Sequence, residues 1–312
     1  MADPKGEKHI FGPVPSRRLG RSLGVDLVPY KTCTYDCIYC QLGKTDNKTP
    51  ERKEWVPLAE VLGQIRENLK HQPDYITLSG SGEPTLYSKL GQLLRGIKQM
   101  TDIPVAVLTN GSLLWQPQVR SELQQADLVM PSLDAGSIQK FRYVNRPCDG
   151  IEFEKMVQGL IQFREEYSGK YWLEVLIMAG ITTPESEIRK MAEYIKQIRP
   201  DRVLVNTVAR PPVEEYAEPV PERQLKALAL QLSENAEVIA DYTGVHQKKE
   251  FTAQRSDVLE MLHRRPCTVE DISSGLEIHR NEAVKYIEEL LHRGLIKKRI
   301  QNRQTYYAAA EE

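Results

Sequence analysis

Residues 24–43 read GVDLVPYKTCTYDCIYCQLG. Gly24–Val28 is rich in aliphatic residues and stops at Pro29, which predicts a short buried strand followed by a loop. That loop carries Cys33, Cys37 and Cys40, three thiols at offsets of four and three. Thiolates at this spacing can wrap one corner of a small inorganic cluster. A structural zinc site takes four ligands, commonly as two separated pairs. The remaining cysteines, Cys148 and Cys267, are isolated and have no neighbour at ligand spacing. A [4Fe–4S] cluster also takes four ligands, so three local thiolates leave one iron for a ligand that is not protein.

Working outward, apolar runs recur at Asp74–Ser79, Ile103–Thr109, Asp127–Leu133, Trp172–Met178 and Arg202–Asn206. Between them Leu58, Val61, Leu62, Ile65 and Leu69 repeat at helical spacing, as do Ile188, Met191, Ala192, Ile195 and Ile198. Strand, helix, strand in this rhythm predicts parallel strands joined by crossover helices. The rhythm stops near Asn206, where Ala209–Pro221 contains four prolines. Six units are too few for a closed eight-stranded barrel. The expected fold class is α/β: a partial (β/α)6 TIM-like barrel, or otherwise a doubly wound sheet, with the motifs at the strand ends favouring the barrel.

The expected organisation is a basic N-terminal arm over 1–23, the barrel over 24–245, a polar linker over 246–253 and a second domain over 254–312. An amphipathic stretch at Glu222–Glu234 and a short apolar run, Val238–Ala240, close the barrel segment. In the second domain Val258, Leu259 and Leu262 predict one helix. Thr268 as N-cap, with Asp271 three residues on, opens another. Asn281–Arg293 predicts a third, stopped by Gly294. Leu295–Ile300 and Gln304–Ala308, around the turn QNR, predict a β-hairpin. Three helices and a hairpin in that order resemble a winged helix-turn-helix domain; a plain helical cap on the barrel is the alternative.

Lys+Arg number 42 against 43 Asp+Glu, a net charge of −1. This excludes a strongly basic nucleic-acid coat but not a local basic patch. No apolar run approaches the ~18 residues of a membrane span, and the first residues lack the apolar core of a secretory signal. Five cysteines, three of them clustered, point to a reducing cytoplasm rather than a disulfide-bonded secreted fold.

The spacing Cys33-x-x-x-Cys37-x-x-Cys40, with the aromatic Tyr39 before the third cysteine and a strand before the loop, resembles the radical S-adenosylmethionine (SAM) superfamily. The resemblance covers roughly residues 20–210. It implies that the three cysteines hold a [4Fe–4S] cluster whose free iron chelates SAM. The reduced cluster would then cleave SAM to methionine and a 5′-deoxyadenosyl radical. It also implies a low-potential electron donor of flavodoxin or ferredoxin type. Ser79-Gly80-Ser81-Gly82-Glu83-Pro84, after the second strand, resembles the family's GGE turn with Ser81 in place of its first glycine, which makes Ser81, Gly82, Glu83 and Pro84 expected SAM contacts. Alongside Tyr39 of the cysteine loop, Asn110 in Thr109-Asn110-Gly111, Ser132 and Asp134 after the fourth strand, Glu174 on the fifth and Asn206 on the sixth complete the expected cofactor-binding set. Taken singly, each also reads as an ordinary turn or capping residue. Together they fall at the C-terminal ends of successive strands, the face on which barrel active sites are built.

Radical chemistry does not name a substrate. Arg17, Arg18 and Arg21 before the first strand, and Arg210 after the sixth, are candidates for gripping an anionic substrate, since Arg presents a planar donor fork. The run from GPVPSRRLG to Arg210-Pro211-Pro212 resembles the wyosine-type tRNA base synthases. Those enzymes carry further cysteines upstream, whereas no cysteine precedes Cys33 here, so only the core radical chemistry is carried over. His279, Arg280, Lys285, Arg293, Lys297, Lys298, Arg299 and Arg303 suggest nucleic-acid binding by the terminal domain. Residues 251–312 nevertheless hold ten Lys/Arg and ten Asp/Glu, a balance that gives little counterion-release affinity. Three functions follow: a radical SAM enzyme acting on a macromolecule (tRNA or protein), the same chemistry on a small metabolite with the terminal domain regulatory or dimerising, and a DNA-bound iron–sulfur sensor.

Overall fold

The computed structural model describes residues 9–16, 18–40, 42–208, 212–239, 255–276, 278, 283, 286–287, 290–291, 293–301 and 304–310. Arg17, Arg210, His279, Arg280, Lys285, Arg303, the proposed linker and most of the expected third helix of the terminal domain lie outside them.

The strands are β1 (Ile10–Ser16), β2 (Gly20–Val25), β3 (Thr32–Cys33), β4 (Asn47–Lys48), β5 (Tyr75–Leu78), β6 (Val105–Thr109), β7 (Leu128–Pro131), β8 (Lys170–Ile177), β9 (Arg202–Thr207) and β10 (Ala236–Val238). Eight of them form one sheet in the order β1-β2-β5-β6-β7-β8-β9-β10. From β2 to β10 every pairing is parallel. This is the parallel sheet of a partial TIM barrel, as expected. Crossovers are made by α1 (Leu58–Asn68), α2 (Leu90–Met100), α3 (Pro117–Leu123), α4 (Ile138–Val144), α5 (Phe153–Glu166), α6 (Glu185–Ile198) and α7 (Glu222–Leu232). The helical repeats read from sequence bury as expected: Val61 and Ile65 on α1, and Ile188, Met191, Ala192, Ile195 and Ile198 on α6.

Strand alternation divides the sheet into two faces. Val105, Val107, Val129, Leu173, Val175, Val203 and Val205 pack outward under the helices. Leu19, Ala106, Leu128, Met130 and Leu204 cluster on the inner face, with Leu108 and Trp172 against them. The same parity carries Asn110, Ser132, Glu174 and Asn206 inward at the strand ends. The sheet therefore aims these polar side chains into the mouth.

Two features depart from the sequence reading. The first strand runs Gly20–Val25 rather than Gly24–Val28, because Asp26–Val28 leave the sheet to start the cysteine loop. Much of the expected N-terminal arm is strand β1, antiparallel to β2 at the sheet edge with a bulge between Phe11 and Val14. Its Pro13 and Pro15 are tolerated there, since an edge strand needs hydrogen bonds on one side only.

After the barrel come α8 (Arg255–Arg264), α9 (Val269–Leu276) and the antiparallel hairpin β11 (Ile296–Gln301)–β12 (Gln304–Ala309). Thr268 and Asp271 cap α9 reciprocally, each backbone N–H donating to the other's side chain at 3.0 Å. Val258, Met261, Leu262, Ile272, Leu276, Ala283, Ile287, Leu290 and Ile296 form a second core. Val14 of β1 belongs to it, and Phe11 packs against it, so the terminal module is seated on the barrel's edge strand.

Candidate active site

The cysteine loop is pinned at both ends. β3 and β4 pair in parallel across the loop's neck, and Thr49 N–H donates to the Cys33 carbonyl at 3.0 Å. Inside it, Cys40 N–H donates to the Cys37 carbonyl at 3.1 Å, and Thr45 N–H to Asp36 Oδ1 at 2.8 Å. The outer side leans on the segment after α4. Asp36 N–H donates to the Asn145 carbonyl at 3.0 Å, Ile38 N–H to that of Val144 at 2.9 Å, and Cys148 N–H to that of Thr34 at 2.8 Å. These backbone bonds fix where the three sulfurs stand.

Cys33, Cys37 and Cys40 line one cavity of about 430 Å³ together with Tyr39, Ser81, Gly82, Glu83, Asn110, Ser132, Glu174, Asn206 and Arg18. Most of the site expected from sequence is thus gathered at the C-terminal ends of the strands. Asn110 Nδ2 donates to Cys33 Sγ at 3.5 Å and to Thr34 Oγ1 at 2.7 Å, while its Oδ1 accepts from Ser112 N–H at 2.9 Å. Asn110 therefore ties the turn after β6 to the cysteine loop. Asn145, which the sequence did not single out, donates to Cys37 Sγ at 3.5 Å and to Asp134 Oδ2 at 3.1 Å. It sits 108 residues from Cys37 along the chain, so no local motif signals it.

Two of the expected cofactor contacts have carboxylates engaged by the chain's own donors. Glu83 is 2% exposed, and its carboxylate accepts from Thr85 N–H (3.0 Å), Thr85 Oγ1 (2.6 Å), Thr109 Oγ1 (2.6 Å) and Asn110 N–H (2.7 Å). It couples the turn after β5 to the turn after β6, and burial pushes its carboxyl upward against those donors. Asp134 accepts from Tyr39 Oη, Asn145 Nδ2 and Leu176 N–H, and lies behind the cavity lining. It holds Tyr39 and through it the cysteine loop. Pro84, also expected as a contact, is buried at the start of a single-turn helix, Pro84–Leu86, outside the lining.

The glycines of the turn after β5 are there for close approach. A Cβ on Gly82 would overlap the Thr32 carbonyl oxygen, so the chain entering the cysteine loop passes directly over it. Gly80 takes φ +124°, and a Cβ there would meet Asp26 Oδ1. Ser81 N–H donates to that same Asp26 oxygen at 2.7 Å.

Across the cavity Glu174 Oε1 accepts from Asn206 Nδ2 at 3.1 Å and is ion-paired with Arg18. Arg18 Nε is buried with no hydrogen-bond partner among the described residues, a donor left for a ligand. Arg21 is misplaced by the sequence reading. Its N–H donates to Asp74 and its guanidinium to the His71 carbonyl, at the start of β5 and the far end of the strands.

The donor set fits an iron–sulfur cluster. Burial and the Glu83 carboxylate push the Cys33 thiol up to about 12, and burial with neighbouring Cys33 and Asp134 pushes Cys37 up as well. Thiolates crowded in such a place need a cationic centre to share. The Tyr35 hydroxyl is 3% exposed on the same lining and has no hydrogen-bond partner among the described residues. It is an O–H donor left over for an acceptor inside the cavity. Among the described residues no three His, Cys, Asp or Glu close on a single metal ion.

The profile of the Radical SAM superfamily matches residues 27–195. A Brachyspira hyodysenteriae protein named GTPase Obg is 38% identical over 96% of this chain, which spans 45% of that protein's length. A UPF0026 protein of Helicobacter pylori is 33% identical over 96% of this chain and 97% of its own length. The solved structure of TYW1 with a lysine-pyruvate adduct bound has a TM-score of 0.51 at 17% identity, covering 72% of this chain and 76% of that one, and so shares the fold. With the matched segment, the sheet and the cysteine-lined mouth in agreement, this chain belongs to the radical SAM superfamily, enzymes that work with a [4Fe–4S] cluster and S-adenosylmethionine.

Proposed function

We propose that Cys33, Cys37 and Cys40 hold the cluster, that SAM occupies the cavity between the Ser79–Glu83 turn and Glu174, and that the enzyme abstracts a hydrogen atom from a substrate admitted to the same mouth. When bound, the reduced cluster supplies the electron that cleaves SAM into methionine and a 5′-deoxyadenosyl radical. The chain's own work is positional. Asn110 and Asn145 steady two of the sulfurs by N–H donation. Ser132, Glu174 and Asn206 present polar groups from three successive strands toward the sugar and methionyl parts of SAM. Arg18 offers its buried Nε–H to a carboxylate or phosphate oxygen. The observation that carries this reading is that the three cysteines and these inward-facing strand-end residues border one cavity. Anaerobically reconstituted protein given dithionite and SAM is expected to release 5′-deoxyadenosine, and Cys37→Ala to hold no cluster. Absence of that product with the cluster intact would overturn the reading.

For the substrate, we propose a macromolecule (a tRNA or protein segment) recruited by a terminal module of winged-helix type. Lys298 and Arg299 stand exposed on β11 and support this. Lys298→Glu with Arg299→Glu is expected to leave SAM cleavage unchanged and to cut product formation on the true substrate. A small metabolite is the second reading, favoured by Arg264 and Arg265, which wall the cavity mouth from the module side. Equal turnover in the charge-reversed variant would decide for it.

A further inference from the structure

We infer that Arg264, on the terminal module, positions the Gly80–Gly82 turn for SAM, so that the module is a working wall of the cofactor cavity. This rests on the reading of that cavity as the SAM site. Asp26, at the exit of β2, is 4% exposed and faces two ways. Its Oδ1 accepts from Ser81 N–H at 2.7 Å, and its Oδ2 is ion-paired with Arg264. Arg264 Nη1 also donates to Ser81 Oγ at 3.3 Å. One guanidinium thus braces both the backbone support and the side chain of Ser81, the residue standing where a glycine would be expected.

The guanidinium also lies over an aromatic ring. Its carbon lies 5.0 Å from the centre of the Phe11 ring, and that ring packs so closely on Gly24 that no Cβ would fit between them. A donor fork lying over an aromatic ring and reaching two acceptors is an arrangement that Lys does not reproduce. Arg264 and Arg265 line the same cavity as the cysteines, so the module's seat and the cofactor's seat share atoms. Removing the guanidinium leaves Asp26 buried without its counter-charge, beside a turn whose Gly80 has a conformation that side-chain-bearing residues rarely adopt. Coupling of this kind is reciprocal: a docked module favours SAM, and SAM favours the docked module.

The test uses the full chain, reconstituted anaerobically. SAM affinity is measured by equilibrium dialysis, iron and sulfide content by analysis, and amide exchange along α8 with and without SAM. Arg264→Met is expected to weaken SAM binding by about tenfold, the scale of a lost charge-assisted hydrogen bond, with iron and sulfide content unchanged. Arg264→Lys is expected to recover only part of the affinity. SAM is expected to slow amide exchange in α8 of the wild type and not of Arg264→Met. Wild-type affinity in both variants, or exchange in α8 indifferent to SAM, overturns the inference. Should Arg264→Met lose its cluster, Arg264→Lys decides: a several-fold weaker SAM affinity upholds the positioning role, and an unchanged one overturns it. A cluster-loaded wild type that binds no SAM fails differently, by removing the SAM reading itself.

Discussion

Asp134 has three donors aimed at its carboxylate, yet burial outweighs them and holds its pKa up at about 6 against an ordinary 3.8, with Glu174 adding to the rise. The native state therefore binds a proton that the unfolded chain has released between about pH 4 and 6. Linkage fixes the sign: stability is highest below that window, falls as pH rises through about 6, and levels off above. A displacement from 3.8 to about 6 is worth roughly 3 kcal/mol. Urea unfolding of the metal-free protein at several pH values is expected to show this slope, and Asp134→Asn to flatten it. With Tyr39, Asn145 and Leu176 all donating to it, Asp134 joins the cysteine loop to β8.

At the scale of elements, the site is an agreement between two loops. The cysteine loop enters over Gly82, and Glu83 N–H donates to the Thr32 carbonyl at 3.1 Å just before Cys33. Gly82→Ala would force a methyl group into that carbonyl. Backbone, not a flexible side-chain end, would have to move, at a cost of about 1–3 kcal/mol. The expected outcome is a lowered Tm together with loss of reconstituted iron, because the displaced strand carries Cys33, the first of the three proposed sulfur ligands. Calorimetry and iron analysis on one preparation check both. Strand β1 makes the opposite point about legibility. Its prolines and bulge hide it from any alternation pattern, and it is defined by its partner β2 rather than by its own residues.

At the scale of the molecule, two hydrophobic cores meet at β1. Val14 lies in the smaller core, and Phe11 packs against it while also facing Gly24 and Arg264. Deleting residues 255–312 would strip both apolar side chains of their cover and leave Asp26 without its ion-pair partner. The truncated barrel is expected to melt lower than the full chain and to bind SAM more weakly, read by calorimetry and equilibrium dialysis. Among the described residues no helix is long and apolar enough to cross a membrane.

What the sequence determined by itself were the local patterns: six parallel strands and their helices from periodicity, and three cysteines at fixed spacing on the loop after the first of them. The inward polar residues Asn110, Ser132, Glu174 and Asn206 were also legible, because strand alternation and the strand ends are written in the chain. The tertiary structure alone decided what each of those residues touches. It surrounded the Glu83 and Asp134 carboxylates with internal donors, sent Arg21 to the far end of the strands, and brought Asn145 to Cys37 and Arg264 to Asp26 across 108 and 238 residues of chain. Periodicity reports which face a side chain occupies. The partner it finds there depends on distant segments packing to the density of a folded core, and no local pattern encodes that.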